Sequence, residues 1–267
     1  GGNGSSIISL TALQTGKDSV VAGLNIGGNG GTGNAGGTVI VDNGGIVETT
    51  GAGAHGILAQ SIGGGGGNGG MAIAANVIIG APLSAPLVSI GGTGGDGGDG
   101  GAVTVSNSGN ILTRGAAAHG IVAQSIGGGG GNANMGFSLT SEPVSFVLSN
   151  AVSALVGATG GGTGGTGGAV IVNHSGDITV LGAGSQAILA QSINGGGGSL
   201  KLDFDGIIGL PGVLIPGVGP GSPPPTRDPM VVAVNGADGA SGMNAGSVTI
   251  NSTGSLGVAG DNGLGTL

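Results

Sequence analysis

The sequence predicts an all-β fold: a parallel β-helix, or β-solenoid, with coils of about 24 residues. Glycine-rich helices of the polyglycine II type and apolar excursions interrupt the coils. Three observations predict it. One phrase recurs, as AHGILAQSIGGGGGN at 54–68, AHGIVAQSIGGGGGN at 118–132 and QAILAQSINGGGGS at 186–199. A valine-rich alternating run precedes each phrase at constant distance: Val39, Val103, Val170 and Val248 stand sixteen residues before His55, His119, Gln186 and Leu264. Glycine, which supplies 72 of the 267 residues, falls in threes outside these runs.

The elements of one coil follow in order. Val39 and Val41 alternate with polar neighbours, as do Val103 and Val105, Val170 and Val172, then Val248 and Ile250. Period two with β-branched residues predicts a strand with one buried face. A turn follows at Gly44, Gly109, Gly176 or Gly254, and a second short strand begins at Ile46, Ile111, Ile178 or Leu256. This alignment shifts the first copy internally by one residue. Gly51, Gly115, Gly182 or Gly260 closes the second strand, and a third runs from Ile57 to Ile62 in the first copy. One such coil buries too few side chains to offset the entropy of ordering it, so copies must stack.

A twelve-residue block precedes each coil, such as GGN-GGT-GNA-GGT at 27–38 and GGT-GGD-GGD-GGA at 91–102. The blocks at 158–169 and 236–247 match them, and Gly63 to Met71 continues in threes after the first coil. A three-residue period fits neither α-helix nor strand but does fit a left-handed extended helix, in which twelve residues span roughly 37 Å. Such a helix has no internal hydrogen bonds, so the blocks are expected side by side, with their third positions at the rim. Between the glycine runs lie excursions. Ala72 to Ile90 reads as two short strands around Pro82 and Pro86. Ser141 to Ala158 places Val144, Val147, Leu148, Ala151, Val152 and Leu155 at helical spacing, with Ser141 as N-cap. Leu200 to Pro229 becomes a Pro-rich loop. The repeat units are 27–90, 91–157, 158–235 and 236–267. GGNG at the start matches Gly66 to Gly69, and Leu267 matches Leu58, so one continuous array, a window of a longer chain, is expected over 1–267.

Composition excludes several functions. The net charge is −8 with four Lys and Arg in all, no Trp, Tyr or Cys, and three Phe. Charge-driven binding of nucleic acid or an anionic membrane needs basic clusters, and base or sugar platforms need aromatic faces. No apolar run reaches the 18 residues of a membrane helix. Disulfides and thiolate metal sites are ruled out.

Candidate sites are few. Gly91 to Asp96 opens like a calcium nonapeptide, G-G-x-G-x-D, which makes Asp96 and Asp99 the candidate calcium ligands. Gly98 replaces the large apolar residue of that motif, and Thr166 stands where Asp96 would recur, so metal binding is not expected. His55 and His119 would lie one above the other, but Gln186 and Leu264 follow, which favours a ladder over a metal site. Gln60, Gln124 and Gln191 predict an amide ladder. G-x-G-x-x-G at Gly31, Gly33 and Gly36 is a by-product of composition, and Lys17 lacks the rest of a P-loop. No acidic position recurs in three copies, so neither catalytic residues nor a cofactor is expected.

V-x-V-x-N-x-G-x-I followed by G-x-G-A-H-G-I-x-A-Q-S-I-G-G-G-G-G resembles the passenger repeats of very large Gram-negative autotransporter (type V secreted) proteins. The likeness covers the coil parts of all four repeats and is strongest over Val103 to Asn132. It implies export through a C-terminal barrel outside these 267 residues, display at the cell surface, and no catalytic residues. The reading is a structural or interaction segment: a stalk, filament or biofilm adhesin, with neighbouring repeats as its first partners and other copies or a host-cell ligand as further ones. One alternative is a ligand-binding glycine-helix bundle, for ice or a receptor, since such bundles resemble some insect antifreeze proteins and phage tail-tip adhesins. Another is a β-helix enzyme acting on polysaccharide.

Overall fold

In the computed structural model the described residues are 1–15, 23–80, 87–134, 136–141, 153–156, 160–199, 242–262 and 264–266. Among them the protein is all-β, without helix, and its strands pair only in parallel within five sheets. Three sheets are four-stranded and come from the coil. The valine sheet stacks Val39–Asn43, Val103–Asn107, Val170–His174 and Val248–Ser252. The middle sheet stacks Val47–Thr49, Ile111–Thr113, Ile178–Val180 and Leu256–Val258. The glutamine sheet stacks Ile57–Ile62, Ile121–Ile126, Gln186–Ile193 and Leu264–Thr266.

Identical positions lie opposite each other. Val39 faces Val103, Val103 faces Val170, and Val170 faces Val248, in the single column that the constant spacing predicts. The distance from one copy to the next is 64, then 67, then 78 residues, so the excursions absorb the difference and the coil keeps its register. The first copy is not shifted internally. Val47, not Ile46, faces Ile111, and Ile46 is 82% exposed. Consecutive glycines at 44 and 45 allow two alignments. Burial selects the one that turns Val47 to the core, and Gly45, not Gly44, lies against Gly109.

The core lies between these three sheets. Val103, Val105, Ile111, Ile121, Ala123, Val170, Val172, Ile178, Val180 and Ile188 are buried in one cluster. Their alternation with exposed neighbours, as in Ile57–Ile62, is what period-two sequence dictates. A left-handed residue recurs before the third strand of every copy: Gly53 (φ 68°), Ala117 (φ 52°), Gly184 (φ 67°) and Asn262 (φ 57°). Glycine and Asn tolerate this region, and Ala117 is the strained member.

The excursions form the two remaining sheets, each three-stranded. One contains Ile7–Thr15, Ala72–Gly80 and Gly136–Ser141, and the other Gly23–Ile26, Leu87–Ile90 and Ser153–Val156. The two pack on one another: Asn25 Nδ2 donates to Ser9 Oγ at 2.6 Å and to the Ile73 carbonyl at 3.2 Å. Two strands in Ala72 to Ile90 agree with the sequence reading. The helix expected over Ser141 to Ala158 does not hold where that stretch is described. Ser141 ends a strand instead of capping a helix, and Leu155 lies in Ser153–Val156, paired with Leu87–Ile90. Pairing with the equivalent strand of the preceding copy overrides the local apolar spacing. Val144, Val147, Leu148, Ala151 and Val152 lie outside the described residues, as do 200–241, with the Pro-rich loop and half of the fourth glycine block.

Candidate functional site: side-chain ladders between repeats

The glycine blocks show why each triplet has its composition. The first glycine donates to the third residue of the next repeat: Gly30 N–H to the Thr93 carbonyl, Gly33 to Asp96, Gly66 to Gly129, Gly97 to Thr163. The second donates sideways into the block on the other side of the coil, running antiparallel: Gly64 to Asn34, Gly67 to Gly31, Gly70 to Gly28, then Gly92 to Gly70, Gly95 to Gly67, Gly98 to Gly64. Inside the stack both positions are closed to side chains, whereas Asn34, at a second position of the first block, is exposed. A Cβ on Gly94 would sit 1.9 Å from the Gly131 carbonyl oxygen, and one on Gly95 2.2 Å from that of Gly31. The third position is open, and a Cβ on Gly65 or Gly129 would meet nothing within 3.5 Å.

The third residue's own N–H is captured by a side chain of the preceding repeat where that repeat has Asn or Asp at the same position. Asn29 Oδ1 accepts from Thr93 N at 3.1 Å, Asn68 Oδ1 from Asn132 N at 2.8 Å, and Asn132 Oδ1 from Ser199 N at 2.9 Å. Asp96 and Asp99 belong to this series. Asp96 Oδ1 accepts from Thr163 N at 2.7 Å and Thr163 Oγ1 at 2.8 Å; Asp99 Oδ1 accepts from Thr166 N and Oγ1, both at 2.7 Å. The Thr163 and Thr166 donors hold the two carboxyls below the usual aspartate range. The candidate calcium ligands are therefore caps on the next repeat's backbone, and Thr166, which weakened the calcium motif in the sequence, is the Asp99 partner. Among the described residues no three His, Cys, Asp or Glu are grouped to hold a metal.

The coil carries matching ladders. Gln60 Nε2 donates to Gln124 Oε1 at 2.5 Å, and Gln124 Nε2 to Gln191 Oε1 at 2.7 Å, as the repeated AQSI predicts. The His55 and His119 rings stack at 4.9 Å with planes 10° apart. His55 Nδ1 accepts from His119 N at 3.1 Å, and His119 Nδ1 from Gln186 N at 2.9 Å. At the end of the valine strand, Asn43 Nδ2 donates to Asn107 Oδ1 at 2.6 Å, and Asn107 Nδ2 meets His174 Nδ1 at 3.0 Å. His174 is 3% exposed, and its Nε2 has no protein partner. Across the third junction, Ser255 Oγ donates to Asp177 Oδ1 at 2.5 Å.

Two sets of residues escaped the sequence reading. Ser61 and Ser125 point inward from the AQSI strand and join coil to glycine block. Ser61 Oγ donates to the Gly37 carbonyl at 2.7 Å and accepts from Gly101 N at 2.8 Å; Ser125 does the same with Gly101 and Gly168, both at 2.8 Å. Ser192 Oγ accepts from Gly246 N at 2.8 Å. Their threefold recurrence was visible in the sequence, but nothing in it assigned the hydroxyl a partner. The capping role of the third-position Asn and Asp is the other set. Its signal is an Asn or Asp in one copy followed by Thr, Ser or Asn at the same triplet position of the next.

No family model, no curated protein and no solved structure matches this chain.

Proposed function

We propose that the parallel sheets close into a β-solenoid, and that the glycine blocks are polyglycine II helices packed as a flanking layer. In this reading the chain is a structural or interaction segment, a stalk, filament or adhesin, of a secreted repeat protein displayed on the surface of a Gram-negative cell. It is not an enzyme and has no cofactor. One observation carries the reading: the recurring polar positions capable of chemistry bond to the neighbouring repeat. Asn, Asp, Gln, His and inward Ser alike connect copy to copy. Such a design makes length its product, since each coil adds about 4.8 Å.

Ten additional tandem copies of 103–169, inserted after Ala169, test it. The expected result is an increase of about 48 Å in the long dimension by electron microscopy or small-angle scattering, at unchanged cross-section. Growth in all dimensions would reject the solenoid. Antibody labelling of intact cells of the source organism tests display, and labelling only after lysis would reject it.

A further inference from the structure

All three histidines of the chain sit at repeat junctions, and each uses Nδ1 to bond a neighbouring copy. At the first junction His55 Nδ1 takes the His119 N–H. At the second, His119 Nδ1 takes the Gln186 N–H, and His174 Nδ1 takes the Asn107 side-chain amide. A backbone N–H is only a donor, so Nδ1 of His55 and His119 is the unprotonated nitrogen. The Asn107 orientation is fixed from both ends: its Oδ1 accepts from Asn43, and its Nδ2 also donates to the Gly109 carbonyl at 2.7 Å. No imidazole bond crosses the third junction among the described residues. There Asp177 bonds Ser255, and the Gln186 and Leu264 positions follow the histidine column.

We propose that His119 and His174 are proton-gated links: each must release its inter-repeat hydrogen bond to take up a proton, so mild acid loosens the second junction and spares the third. A proton entering at Nδ1 of His119 points at the Gln186 N–H, which cannot become an acceptor; at His174 it meets the Asn107 amide, which cannot turn without breaking its own bonds to Asn43 and Gly109.

The surroundings oppose charge at two of the three. Burial holds the His119 imidazole below the usual histidine value, and the stacked His55 adds repulsion. Burial also lowers His174. The Gly176 and Asn107 backbone groups and the Asp177 carboxylate act the other way. Asp42 borders the same groove as His174. Glu48 and Arg114 pair with each other at 3.0 Å between the first two copies, and Asp261 lies in the fourth turn. A group whose folded pKa is depressed binds fewer protons in the folded state. Its stabilisation is complete above the free histidine value of about 6.5 and declines as pH falls through that value.

Amide exchange on the intact chain at pH 7.5 and 5.5, corrected for intrinsic rate, tests the proposal with controls in the same molecule. The Gln186 amide, capped by the His119 imidazole, should lose protection by up to about tenfold per pH unit for each excluded proton. The Thr93 and Ser199 amides, capped by Asn29 and Asn132, should change much less. The triple variant His55→Asn, His119→Asn, His174→Asn puts a non-titrating oxygen in place of each Nδ1, and its protection should be flat over this range. Equal pH response at the Gln186 amide and the Asn-capped amides overturns the proposal, as does the same acid loss in the triple variant. If the variant does not fold, the comparison within the wild-type chain decides alone.

Discussion

The coil and the glycine blocks solve the same stacking problem by opposite means. In the coil, each copy turns Val, Ile and Ala inward, and the core continues from one copy to the next. Burial of apolar area favours the stack, and the strand bonds set its register. In the glycine blocks there is almost nothing to bury. Two residues of most triplets have no side chain, and their N–H groups bond two different neighbours. The difference teaches what glycine does here. It is a packing residue, required because a carbonyl oxygen occupies the space a Cβ would take. Coil and block are joined by the buried Ser61 and Ser125 hydroxyls.

The contrast can be broken most forcefully in the blocks. Gly95→Ala places a methyl 2.2 Å from a backbone oxygen that is itself hydrogen-bonded, and should cost ~3 kcal/mol or more. Gly196→Ala, where nothing lies within 4 Å, should stay within ~0.5 kcal/mol in the same denaturant titration. In the coil, Ile178→Ala removes a fully buried side chain and should cost ~2–5 kcal/mol. Ile40→Ala, 75% exposed on the outer face, should cost well under ~1 kcal/mol by the same measurement. At the seam, Ser125→Ala strands a Gly101 carbonyl and a Gly168 N–H, and ~1–3 kcal/mol should be lost.

Two smaller effects sharpen the picture. Ala117→Gly relieves the left-handed strain that Gly53 and Gly184 avoid, and should stabilise by about 0.5–1 kcal/mol. Acid should act on the blocks at lower pH than on the histidine junctions. The Asp96 and Asp99 carboxyls are held below the free value of 3.8 by their Thr donors, so their contribution is present above that value and is lost as pH falls below it. Asp96→Asn with Asp99→Asn keeps an acceptor without the charge. A thermal-melt series from pH 5 to 2.5 should show less acid loss than in the wild type.

Much of this was legible in the sequence because repetition makes geometry visible. The valine column, the glutamine ladder and the closed faces of the glycine triplets each follow from a period. What period could not supply was choice between near-equivalents. With two glycines at 44 and 45, the sequence alignment placed Ile46 where the structure places Val47. The apolar spacing at 141–158 suits a helix on its own, and only the waiting Leu87–Ile90 strand makes 153–156 extended. Asp96 and Asp99 looked like metal ligands because a single copy shows only the acid. Their partners, Thr163 and Thr166, stand 67 residues further on.

The central claim is that the glycine triplets are as ordered as the strands they accompany. Amide exchange followed by NMR at neutral pH measures this residue by residue. Gly95, Gly97 and Gly98, each bonded at 2.8 Å to a neighbouring block, should exchange as slowly as Val105 and Ser106 in the valine sheet. Exchange of these glycines at the rate of an unstructured peptide, beside protected valine strands, would contradict the account.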